Sequence, residues 1–168
     1  MNTNGTPENV REELAALLPR LRRFARNLTR NPHDADDVVQ MALERALAKL
    51  DQWRRDARLD SWMFKIVRNV WIDELRSRGR WGKILTGPEA GENVGHSPLD
   101  RDSDLLSVQA AMARLPEDQR TAVSLVLVEG LSYKEAAEVL DVPIGTLTSR
   151  LARGREALQA MLAPGDAG

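Results

Sequence analysis

Apolar residues recur along this chain at three- and four-residue steps, whereas the β-branched runs that favour strands are scarce. In a first block, residues 9 to 78, the pattern predicts three or four helices, running through REELAALLPRLRRFARNLT, HDADDVVQMALERALAKL and LDSWMFKIVRNVWIDELRSR. Asn31-Pro32 predicts a break before the second of these, and Asp60 can cap the third. On the second helix Val39, Leu43, Ala46, Leu47 and Leu50 are expected to pack inward, leaving Asp34, Asp36, Asp37, Gln40 and Glu44 exposed. On the third, Met63, Ile66, Val67, Val70 and Trp71 form an apolar stripe, with Lys65, Arg68, Asn69, Asp73 and Arg76 on the other side. A second block, residues 104 to 162, predicts four helices, with Pro116 suited to a helix start and Gly130 to a helix end. Between the blocks, residues 79 to 103 hold five glycines and two prolines without apolar periodicity, which is linker chemistry. The expected fold is therefore all-α, with two small helical domains joined by a flexible linker.

The segment LSYKEAAEVLDVPIGTLTSRLARGREAL, residues 131 to 158, sharpens the picture. Ser132 followed by Glu135 is a capping box, and from it Tyr133, Ala136, Ala137 and Leu140 share a face expected to be core. Pro143 cannot sit deep inside a helix, so the chain bends at 141 to 143 and restarts, with Ile144, Leu147 and Leu151 as its new apolar row. Opposite that row, Thr146, Ser149, Arg150 and Arg153 fall at i, i+3, i+4 and i+7. Two helices crossing at a short turn are a helix-turn-helix. Its second helix enters a DNA major groove, where arginine donates two bonds to guanine. Gly145 at the helix start allows backbone amides to approach a phosphate. The plainer alternative is a helical hairpin with a solvated arginine-rich face.

Composition adds exclusions. The chain has no cysteine, which removes disulfides, thiolate zinc sites and cysteine nucleophiles. His33 and His96 lie in expected loops with no ligand-spaced neighbours, and no Gly-rich phosphate loop or nucleophile elbow occurs, so neither an enzyme nor a metal or cofactor site is expected. No stretch approaches the roughly 18 apolar residues of a membrane span, and the N-terminus lacks a secretory pattern, which suggests a cytoplasmic address. A net charge of −1 across 168 residues does not announce a nucleic-acid binder. The total conceals segregation. Residues 51 to 83 hold nine basic and five acidic side chains, and residues 84 to 108 hold one and five. Arg54, Arg55 and Arg58 near Trp53 and Trp62 mix cations with aromatic surface, as single-stranded nucleic acid favours. Acidic residues at the start of the second helix complement its dipole, or face a protein partner rather than DNA.

With these motifs in this order, the chain resembles the extracytoplasmic-function (ECF) sigma factors, the small two-domain members of the bacterial sigma-70 class. DADDVVQMALERALAKL is similar to the family's polymerase-binding segment, LDSWMFKIVRNVWIDELRSR to its promoter-melting segment, and LPEDQRTAVSLVLVEGLSYKEAAEVLDVPIGTLTSRLARGREAL to its C-terminal DNA-binding domain. The resemblance covers about residues 10 to 78 and 105 to 162. It implies a promoter-specificity subunit of RNA polymerase, not an enzyme, with no cofactor. It implies that Asp36, Asp37, Gln40 and Glu44 dock on the clamp helices of the largest polymerase subunit. It also implies that Asn69 contacts a flipped base of the minus-ten element, with Lys65, Arg68 and Arg76 on phosphates. Gly145, Thr146, Ser149, Arg150 and Arg153 would read the minus-thirty-five element, and an anti-sigma protein would be a further partner. Gly79, Gly82 and Lys83 depart from the family's Arg-rich continuation of the melting helix. The rival readings are an ordinary dimeric helix-turn-helix regulator and a sigma-like mimic that sequesters an inhibitor.

Overall fold

The computed structural model describes residues 7–54, 57–85 and 103–164. They form two compact units, one within Met1–Val94 and the other within Gly95–Gly168. Among the described residues every regular element is helical, in agreement with the all-α expectation.

The first unit packs three helices pairwise: α1 (Pro7–Thr29), α2 (Pro32–Ala48) and α3 (Leu59–Leu85), with a single 3₁₀ turn at Leu50–Gln52. Along α1 the buried positions Val10, Leu14, Leu21, Phe24 and Leu28 recur at steps of three, four and seven residues, so one stripe faces the other two helices. Pro19 lies inside α1 and the helix runs through it. Phe24 meets Phe64 of α3 edge to face, with ring centroids 5.1 Å apart at 75°, the geometry that the ring quadrupole favours. Asn31 caps α2, its Oδ1 accepting from the amides of His33 (2.9 Å) and Asp34 (3.2 Å), and Pro32 occupies the first helical position.

The inward face of α2 is rotated from the expected one. Ala35, Val38, Val39, Ala42 and Ala46 are buried, whereas Leu43 and Leu50 are half-buried and Leu47 is 47% exposed. Small side chains on this face let α2 lie close to its neighbours, and the larger leucines are displaced to its edge. Asp60 is not a cap either. It sits within the first turn of α3, buried, receiving hydrogen bonds from Arg58 Nη2 (2.7 Å), Arg20 Nη1 (3.2 Å) and the Ser61 amide (2.8 Å). At its other end α3 continues through Gly79 to Leu85, so residues 79–85, expected to open the linker, are helical. The remainder of that segment, 86–102, lies outside the described residues, as do Arg55 and His96.

The second unit comprises α4 (Ser103–Arg114), α5 (Glu117–Val123), a π turn that prolongs α5 over Ser124–Val128, α6 (Tyr133–Leu140) and α7 (Ile144–Leu162). Its core joins Met112 and Leu115 to Val123, Leu125, Leu131, Val139, Leu140, Leu147 and Leu151. Buried Arg120 donates from Nη1 to the Leu115 carbonyl at 2.7 Å, which ties α5 to the end of α4. Gly130 takes φ 76°, a left-handed conformation that glycine adopts without strain, and ends the π turn.

Candidate nucleic-acid and polymerase interfaces

The turn before α7 is built by local chemistry at both ends. The Ser132 side chain accepts from the Glu135 amide at 3.1 Å, and the Glu135 carboxylate accepts from the Ser132 amide at 3.0 Å, which completes the expected capping box. At the far end Asp141 adopts φ 54°, ψ 48°. The Val142 amide then reaches back to the Ala137 carbonyl (3.1 Å) and the Asp141 amide to that of Glu138 (3.3 Å), a Schellman closure. Pro143 caps α7. Ala136, Ala137 and Leu140 are buried as expected, but Tyr133 is 40% exposed. Leu147 and Leu151 are buried as expected, but Ile144 is 53% exposed. Both exceptions are the first residues of their helices.

Ser149 and Arg153 are exposed on α7, Thr146 and Arg150 half-buried beside them, and Gly145 exposed at the helix start with open space where a Cβ would stand. The four polar side chains keep their common i, i+3, i+4, i+7 spacing on a helix whose other side is anchored by Leu147 and Leu151. Asp118 on α5 stands beside them, its Oδ2 3.6 Å from Arg150 Nε. The sequence gives no sign of this neighbour, because α5 and α7 meet only through the tertiary fold.

In the first unit Met63, Ile66, Val67, Val70 and Trp71 are all buried, which leaves Lys65, Asn69 and Arg76 exposed and Arg68 half-buried on α3. Phe64, not assigned to the stripe from the sequence, is also buried. Asp73 pairs with Arg45 of α2 at 3.1 Å. Trp53 and Trp62 lie against each other, ring centroids 6.3 Å apart and tilted by 39°. The Trp53 indole N–H is buried without a hydrogen-bond partner.

On α2, Asp36, Asp37, Gln40 and Glu44 are exposed, as expected. They form a ridge between two grooves rather than one flat face. Asp37, Gln40 and Glu44 border a groove of about 290 Å³ with Glu74 and Arg78 of α3 on its far wall. Asp36 and Gln40 border another, of about 430 Å³, walled by Leu18, Arg22 and Arg26 of α1. Asp34, expected to be exposed with the others, is half-buried and held by Arg78, whose guanidinium donates to both of its oxygens at 2.7 and 3.1 Å. Arg78 also lies over the Trp71 ring, 5.5 Å from its centroid, and pairs with Glu74. Hydrogen bonding from Arg78 holds the Asp34 carboxyl below the ordinary carboxylate range. At Asp60 burial pushes the pKa up, but hydrogen bonds from Arg58 and the Ser61 amide, the Arg58 charge and the Arg20 hydrogen bond outweigh it, and the net shift is downward.

Among the described residues no cluster of three or more His, Asp or Glu side chains could hold a metal ion, and no helix is long and apolar enough to cross a membrane.

The second unit is thus a helix-turn-helix, and the first a three-helix unit with adjoining acidic and cationic faces. Comparison with known proteins gives the family. The family model for sigma-70 region 2 matches residues 14–80, and that for sigma-70 region 4 matches residues 105–158. The ECF RNA polymerase sigma factor EcfG of Rhodopseudomonas palustris is 36% identical over 155 residues, 92% of this chain and 86% of that one. The sigma factor RpoE from Bartonella quintana, solved in complex with the anti-sigma factor NepR, superposes with a TM-score of 0.84 at 34% identity, covering 94% of this chain and 99% of that one. CnrH, solved in complex with the cytosolic domain of CnrY, gives a TM-score of 0.67 at 26% identity over 94% and 90% of the two chains. The chain belongs to the sigma-70 family, as an RNA polymerase sigma factor of the ECF type. Sigma factors recognise promoters and initiate transcription as regulatory subunits rather than enzymes.

Proposed function

We propose that the work of promoter recognition is divided among three faces of this chain, and that the chain catalyses no reaction of its own. Residues 9–78, with the continuation of α3 to Leu85, form the polymerase-binding and minus-ten domain, 86–102 the linker and 103–162 the minus-thirty-five domain. Asp36, Asp37, Gln40 and Glu44 dock on the clamp helices of the largest subunit of core RNA polymerase. Carboxylates repel DNA, so a ridge bearing three of them suits a protein surface rather than a nucleic acid. On α3, Asn69 contacts a flipped base of the non-template strand at the minus-ten element, while Lys65, Arg68 and Arg76 hold phosphates. Flipping costs a few kcal/mol of stacking, which contacts to the displaced base and its backbone offset. On α7, Thr146, Ser149, Arg150 and Arg153 read base edges of the minus-thirty-five duplex, and the amide of Gly145 approaches a phosphate.

The observation that carries this reading is the α7 stripe. Four polar side chains lie together on a helix that is anchored by Leu147 and Leu151 and introduced by a capped turn, as a recognition helix requires. An anti-sigma protein of the kind bound to the Bartonella relative restrains the chain until its signal arrives. The chain acts in the cytoplasm, on the nucleoid.

In vitro transcription with purified core polymerase over a genomic fragment library tests the whole. Addition of the chain produces transcripts from a limited set of start sites sharing two upstream sequence elements. Arg150→Ala blurs the upstream element without lowering the recovery of core polymerase in a pull-down. Start sites that are unchanged by the chain, or an upstream element indifferent to Arg150, would overturn the assignment.

A further inference from the structure

The contact between Asp118 and Arg150 sets an acidic group next to a side chain assigned to reading DNA. Gly154, one helical turn beyond Arg150, explains how it arises. A Cβ on Gly154 would stand 2.7 Å from Val123 Cγ2 and 3.3 Å from the Gln119 carbonyl, so α5 and α7 approach as closely as a residue without a side chain allows. Asp118 immediately precedes Gln119, and the close approach brings it level with Arg150. Its two oxygens have separate tasks. Oδ1 accepts from the Gln119 amide at 2.9 Å, fixing the carboxylate in the first turn of α5, and Oδ2 faces Arg150 Nε at 3.6 Å.

Stability does not account for this pair. The side chains are 31% and 51% exposed, and the separation exceeds hydrogen-bond length, so the attraction contributes little to folding. Its geometry is informative instead. The carboxylate addresses the Nε edge of the guanidinium, the edge that bidentate recognition of guanine through the two terminal nitrogens leaves unused.

We propose that Asp118 is a positioning residue for promoter reading: its charge, beside the Nε edge of Arg150, biases the guanidinium toward the orientation that aims its terminal nitrogens at a guanine of the upstream element. The inference rests on the assignment of α7 to that element. An arginine biased in this way loses somewhat less rotamer freedom on binding and is tilted against alternative bases, because reorienting toward another base moves its charge away from the carboxylate. Asp118 also repels phosphate. It therefore lowers affinity for DNA in general while sharpening the choice of base, a combination that favours specificity over strength.

The test uses holoenzyme assembled from core polymerase and the full chain, with a promoter library randomised across the upstream element. Asp118→Asn keeps the acceptor for the Gln119 amide and removes the charge. The expected result is that preference for guanine at the Arg150-dependent position falls by about two- to fivefold, with the other positions unaltered. In the Arg150→Ala background the same substitution leaves base preferences where they were. If Arg150→Ala shifts the preference at one position and Asp118→Asn does not, the positioning role fails while the reading by α7 stands. If Asp118→Asn raises binding to all sequences alike, Asp118 only opposes DNA and the proposal also fails. If Arg150→Ala changes no base preference, the α7 assignment itself is lost.

Discussion

Asp60 lies buried in the first turn of α3. A carboxylate near a helix start suggests a cap, but Arg20, forty positions earlier, and Arg58 converge on it and make it an internal ion-pair centre. Its folded pKa is depressed, so its stabilisation is present in full above the unfolded carboxyl value, near 3.9. It is lost as pH falls through the lower folded value. Asp60→Asn should therefore destabilise the first unit by about 2 kcal/mol at neutral pH. In urea titrations its difference from wild type should be constant above about pH 5 and shrink below that. A gap that persists unchanged into strong acid would show that the carboxylate charge is not what matters there. At α7 the sequence yielded Thr146, Ser149, Arg150 and Arg153 because helical spacing alone puts them together. It did not yield Asp118, whose only link to Arg150 is spatial.

At the scale of elements, the third helix differs most from expectation. Glycine lowers helix propensity by about 1 kcal/mol relative to alanine, so the sequence predicts a helix boundary at Gly79. The helix nevertheless runs to Leu85. Just before Gly79, Arg78 forks onto Asp34, pairs with Glu74 and covers Trp71, so the turn where the helix was expected to stop is clasped to the start of α2. A double-mutant cycle on Asp34→Asn and Arg78→Ala should give a coupling energy of about 1 kcal/mol, the upper part of the range for exposed pairs, because the fork is bidentate and one partner is half-buried. Both single variants should lower the helical circular dichroism signal slightly, by fraying α3. Additive single effects would mean that the two side chains do not support each other. The rotated face of α2 has a related cause. Periodicity marked several apolar residues on that helix, and only contact with α1 and α3 decided that small Ala35, Ala42 and Ala46 face inward while Leu47 turns out.

For the whole molecule, a net charge of −1 must be reconciled with DNA reading. Cationic residues outnumber acidic ones on α3 and α7, and acidic residues elsewhere, most of all the five against one basic in residues 84–108, offset them in the total. The free chain should therefore bind duplex DNA only in the non-specific range, with a Kd of about 10⁻⁴ to 10⁻⁶ M at physiological salt, whereas holoenzyme should discriminate promoters. Fluorescence anisotropy with a labelled promoter duplex, with and without core polymerase, checks this; tight sequence-selective binding by the free chain would contradict it. The sequence by itself determined the helical class, the two blocks, the capped turn before α7 and the polar stripe upon it. Each of these depends on interactions within a few residues: periodicity, side-chain caps and proline's missing amide. The tertiary structure decided which face of α2 is buried, that Asp34 and Asp60 are claimed by arginines, and that Gly154 brings Asp118 to Arg150. Those outcomes depend on the distance between helices far apart along the chain. That distance is set by the volumes of side chains packed between them, which no local pattern encodes.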